Sequence, residues 1–67
     1  MDLLKLVGLV ETTDAFKDLK DARLAHFFFA EEGVDVGFYL PSEDRLASFL
    51  VSGEKVEFRG VSFSIEQ

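Results

Sequence analysis

The side chains equipped for chemistry fall in four places. His26 is the single histidine among 67 residues, and imidazole is the side chain whose charge changes near neutral pH. Asp14, Asp18 and Asp21 are carboxylates spaced closely enough to offer oxygen ligands to a hard cation. Glu31 and Glu32 are adjacent carboxylates, the raw material of general acid–base work. Phe27, Phe28 and Phe29, with Tyr39 further along, are aromatic surfaces on which bases or partner side chains can stack.

The catalytic readings lack the company that chemistry requires. Gly8, Gly33, Gly37, Gly53 and Gly60 make neither a dinucleotide fingerprint nor a phosphate-binding loop. No G-x-S-x-G accompanies His26, and a sheet-face histidine donating one hydrogen bond accounts for it. A solvated hairpin tip accounts for Glu31 and Glu32. Lys17 and Lys20 lie among the three aspartates, and ammonium groups compete with a metal for oxygen ligands. The chain reads as a non-enzyme with no cofactor and no metal.

The scaffold is small. Leu, Val, Ile and Phe supply 25 of the 67 residues, enough to fold despite 13 acidic against 7 basic side chains and a net charge of −6. One domain spanning 1–67 is all that fits, and a chain this short buries only about 60% of its unfolded surface. A homodimer or another partner would add to that. Zero cysteines remove disulfides and thiol chemistry. The start has no basic region before its apolar stretch, and no apolar run approaches the ~20 residues that span a bilayer. The expectation is a cytoplasmic, reduced setting with no membrane partner, in a cell or a virus-infected one.

Periodicity sets out the elements. Leu3 to Val10 is apolar on both faces, which predicts a covered strand with Gly8 at a bend. Thr13 can cap a helical turn over about 13–20. Leu24, Phe27, Phe28 and Phe29 scatter around a helical wheel, so 22–30 reads as a strand. A single helix over 13–32 is the rival. Ala30 to Val34 predicts a three-residue hairpin loop in which Ala30 pairs with Val34. Val34 to Leu40 alternates and stops at Pro41. Ser42 as N-cap, Gly53 as terminator and the stripe Leu46, Phe49, Leu50 predict a short helix over about 42–52. In 54–66, Val56 and Phe58 are even-numbered while Val61, Phe63 and Ile65 are odd. Gly60 stands at the phase change, predicting a turn or bulge that keeps all five on one face.

Three stretches in this order carry a likeness. Gly8 falls in a long first strand, FFAEEGVDVGFYL runs through two strands about an acidic-glycine turn, and LVSGEKVEFRG leads out of a helix. The pattern resembles the OB fold. The resemblance implies a mainly β protein, a five-stranded barrel with one short helix. The α+β order βαβαββ, with the helix at 13–32, is the alternative. It also implies a binding module using the face of strands two and three, usually for single-stranded nucleic acid or another protein.

With Ala30 opposite Val34, Phe28 faces the core, and Phe27, Phe29 and Tyr39 share the outer face with Arg23 at one end. Lys17 and Lys20 add a short basic edge. These six residues form the candidate surface for single-stranded nucleic acid. The same trio serves equally as a dimer or partner interface, or as a small second core under Phe16 and Leu19. Asp14, Asp18 and Asp21 cancel much of the basic field beyond a Debye length of ~8 Å. The alternative function is therefore an acidic interaction module: an assembly subunit, or a viral-type inhibitor steered to a basic protein partner.

Overall fold

The computed structural model describes residues 2–63. Two helices, α1 (Leu3–Glu11) and α2 (Asp14–Lys17), precede four strands: β1 (Arg23–Ala30), β2 (Gly33–Leu40), β3 (Arg45–Ser52) and β4 (Lys55–Phe63). The strands form one antiparallel sheet in the order β1-β2-β3-β4. The protein is mainly β, as expected. It is an open meander and not a closed five-stranded barrel.

The barrel fails because its first strand is a helix. Asp2 Oδ1 accepts from the Leu4 amide at 3.1 Å and caps α1. Leu3, Leu6, Val7 and Val10 recur at i, i+3, i+4 and i+7, which lays one stripe toward the sheet. Val10 ends that stripe fully buried, while Leu4 on the far side is 80% exposed. The Thr13 hydroxyl then donates to Val10 O at 2.7 Å and accepts from the Phe16 amide at 3.2 Å, so one side chain closes α1 and opens α2. The helical turn expected over about 13–20 is this α2. The strand expected at 22–30 is β1, so the 13–32 helix of the alternative is absent. With 3–11 helical, no fifth strand among the described residues is left to join β1 to β4, and both remain edges.

The helix expected over 42–52 is β3. Leu46, Phe49 and Leu50 do fall at helical spacing, but Ala47, Phe49 and Val51 alternate equally well, and all three are buried. Packing between two apolar strands decides for extension, where each inward side chain joins the core. Pro41 to Asp44 make a reversal instead, with Asp44 at φ 54° and its amide donating to Leu40 O at 2.8 Å.

One face of the sheet carries four rows of side chains toward the helices. Cross-strand pairing aligns Phe29-Val34-Val51-Val56, Phe27-Val36-Phe49-Phe58, Leu24-Phe38-Ala47-Val61 and Leu40-Arg45-Phe63. Of the turn or bulge expected at Gly60, the structure has the bulge, inside a single strand. The β3–β4 register shifts between Ser48 and Phe49, Arg59 is the extra residue, and Gly60 has φ 109°. Val56, Phe58, Val61 and Phe63 therefore share a face across the phase change; Ile65 lies outside the described residues. Phe16 seals the centre, edge-on to Phe38 at 5.0 Å and tilted against Phe49 at 6.2 Å. Burying each such side chain contributes about 1.5–3 kcal/mol.

Candidate binding surface

The opposite face of the sheet has no layer over it among the described residues. Its rows are Phe28-Asp35-Leu50-Glu57, His26-Gly37-Ser48-Gly60 and Arg23-Tyr39-Leu46-Ser62. This surface follows from a hairpin one residue shorter than expected. Ala30 pairs with Gly33, so the β1–β2 turn is Glu31–Glu32. Neither glutamate has positive φ, while Gly33 opens β2 at φ 154°. Side chains alternate between faces with period two, so a one-residue change in register moves every one of them.

The six expected site residues are accordingly divided. Phe27 lies on the helix side, half-buried against the core. Phe29 lies on the same side opposite Val34, 63% exposed. Tyr39 and Arg23 are cross-strand neighbours on the open face. Lys17 ends α2 and Lys20 follows it, both exposed in the helical layer. No single surface holds the Phe27, Phe29, Tyr39 trio, and the basic edge is separated from Tyr39. Of the three readings of the trio, packing under α2 describes Phe27: Phe16 and Leu19 join it in contact with the core.

The open face instead gathers Phe28, His26, Asp35, Tyr39, Leu46 and Leu50. His26 stacks on Phe28 with ring centroids 4.4 Å apart and planes inclined by 27°. The imidazole can lie flat because its cross-strand neighbour is Gly37, where a Cβ would run into the ring. Phe28 keeps its outer side free at 62% exposure. At the far end the Tyr39 hydroxyl donates to Asp44 Oδ1 at 2.6 Å, tying the face to the 41–44 turn. That bond, then burial and the nearby carboxylate charge, raises the Tyr39 phenol above its ordinary 10.0. Arg23 contacts Asp21 at 3.6 Å across an exposed pair, an arrangement that contributes little in water.

Beside the stack is a shallow hollow of about 370 Å³, with Glu32, Asp35, Ser48, Leu50, Arg59 and Ser62 in its lining. Asp35 Oδ1 and His26 Nε2 are both buried, and among the described residues neither has a hydrogen-bond partner. A hydrogen-bonding atom turned away from solvent without a partner costs on the order of 1–3 kcal/mol. A strand-face spacing of apolar Leu46 and Leu50 with Asp35 could have pointed here, but only with the correct register in hand.

The carboxylates considered for a cation do not converge. Asp14 opens α2, Asp18 follows it and Asp21 turns at φ 58° beside Arg23. Among the described residues no three carboxylate or imidazole groups are grouped closely enough to hold a metal ion. No described helix is long and apolar enough to cross a membrane. Comparison with protein-family profiles, with curated proteins and with solved structures returned no match.

Proposed function

We propose that the chain is a non-catalytic interaction module that docks a protein partner on the open sheet face, the partner presenting a basic or other hydrogen-bond-donating group among apolar ones. The observation that carries this reading is Asp35. It lines a hollow flanked by the apolar surface of Leu50 and Phe28, and its Oδ1 is buried without a hydrogen-bond partner among the described residues. A lysine or arginine side chain entering the hollow would meet the Asp35 carboxylate and hydrogen-bond to it. Charge-assisted hydrogen bonds of that kind are the stronger ones. The net charge of −6 would steer a basic partner toward the module and weaken the encounter as salt rises.

One observation favours a second reading, single-stranded nucleic acid. The His26–Phe28 stack is a ready platform for a base, with Arg23 and Tyr39 on the same face. Base stacking on aromatics contributes about 1–3 kcal/mol per base. Against it, Lys17 and Lys20 lie in the other layer, while Asp35 and Glu57 share the open face. Phosphate neutralisation, the main source of such affinity, is thin here.

One experiment tests both. Immobilised wild-type protein and a Leu50→Lys variant, checked for folding by circular dichroism, are exposed to nuclease-treated host extract and eluted with salt. Wild type should retain a protein that Leu50→Lys does not. A parallel titration with single-stranded oligonucleotide is read by Tyr39, the single tyrosine in a chain without tryptophan. Equal retention by both proteins removes the docking reading, and a saturable fluorescence change at low salt would replace it with the nucleic-acid one.

A further inference from the structure

The two edges of the sheet differ in how they are protected. β4 carries Lys55, Glu57 and Arg59 together with the bulge at Gly60, all devices that keep another strand from adding on. β1 has Arg23 at its start and an irregularity between Leu24 and His26, but from His26 to Ala30 it reads HFFFA, free of charge, proline and bulge. Natural edges of that kind are rarely left bare.

Within that stretch two neighbours are exposed alike and on opposite faces. Phe28 is 62% exposed on the open face and Phe29 is 63% exposed on the helix face. A partner lying on either face covers one ring and leaves the other in water. A strand added to the edge stands beside both.

We propose that two copies of this chain pair antiparallel through their β1 edges, about a two-fold axis at Phe28, into one eight-stranded sheet. The register follows from the regular segment. Centring on Phe28 opposes Phe28 to its own copy, Phe27 to the other copy's Phe29, and His26 to the other copy's Ala30. This uses the full unbulged run and keeps like faces together. No like charges meet within it, although each copy carries −6. Directly opposed side chains stand about 4.5–5.5 Å apart at Cβ, close enough for the aromatic pairs to touch. The contact is isologous and closes on itself, so it stops at two copies. The rows Phe28-Asp35-Leu50 of the two copies become continuous, doubling the open face. This inference stands independently of what docks there.

Sedimentation equilibrium of the whole chain across a wide concentration range should show the mass doubling, more readily at high salt because screening relieves the repulsion between two acidic copies. Docking of a basic partner has the opposite salt dependence, so the two ideas fail separately. Phe28→Lys and Phe28→Glu should each be monomeric, and an equimolar mixture of the two should recover the dimer. Amide hydrogen exchange on unmodified protein supplies a reading free of any variant. Protection at 26–30 should increase with protein concentration, while that of β4 should not. A monomer at every concentration, or a dimer whose 26–30 amides exchange as in the monomer, overturns the proposal.

Discussion

The imidazole of His26 occupies the space above Gly37 that any larger residue's Cβ would fill, and from there it stacks on Phe28. A glycine in the middle of a buried strand weakens that strand. Here it makes room for a ring on the open face. Gly37→Ala should therefore expel His26 into solvent and end its stacking on Phe28. The expected destabilisation is about 0.5–1.5 kcal/mol, the size of an aromatic pair. In a His26→Ala background the same substitution should lose most of its cost. Urea denaturation of the four proteins in the cycle measures the coupling, and additive effects would show that the ring and Gly37 are independent.

Phe49 and Phe29 lie in adjacent rows on the same side of the sheet, yet should respond oppositely. Phe49 is fully buried and meets Phe16, Phe38 and Phe58. Phe49→Ala should cost about 3–5 kcal/mol, enough to unfold much of a domain this small. Phe29→Glu should stay folded, because that side chain is already 63% exposed and the carboxylate remains in water. Thermal melts followed by circular dichroism distinguish them, and an unfolded Phe29→Glu would contradict its placement outside the core.

Thr13 links the two helices through two hydrogen bonds of one hydroxyl. Thr13→Ala removes both and should cost about 1–2 kcal/mol, at the upper end for a helix cap. Thr13→Ser keeps the oxygen and should recover most of the loss. Chemical denaturation of the pair checks this, and equal destabilisation by Ser and Ala would assign the effect to the methyl group.

Tyr39 titrates late because its hydroxyl donates to Asp44 and loses that bond on ionising. A raised folded-state value means that the bond's contribution is complete below the unfolded phenol's 10.0 and disappears as pH climbs through the higher folded value. Absorbance titration of the single tyrosine should show a midpoint above 10.0 in the native protein, returning toward it in Asp44→Asn. A native midpoint at 10.0 would mean that the bond does not persist in solution.

Strand periodicity made β1, β2 and β4 legible in the sequence, together with the α2 cap at Thr13 and the phase change at Gly60. Each depends on the alternation or turn chemistry of a few adjacent residues. Two segments adopt the opposite structure from the strand and the helix that their patterns predict, and for the same reason. Leu3 to Val10 and Arg45 to Ser52 are short apolar runs that satisfy strand and helix spacing together, and such runs carry no local preference strong enough to decide. Asp2 capping α1 and the stripe Leu3, Leu6, Val7, Val10 were the available signals for the first. For the second, the decision came from β2 and β4, which needed an apolar strand between them. The candidate surface depended on still less. A single residue in the Glu31–Glu32 turn determines whether Phe28 or its two neighbours face outward, and turn composition alone permits both lengths. Composition and periodicity determined a small acidic, mainly β protein rich in valine, leucine and phenylalanine. The identity of the open face was decided by tertiary pairing, because register is a property of two strands and is absent from either one alone.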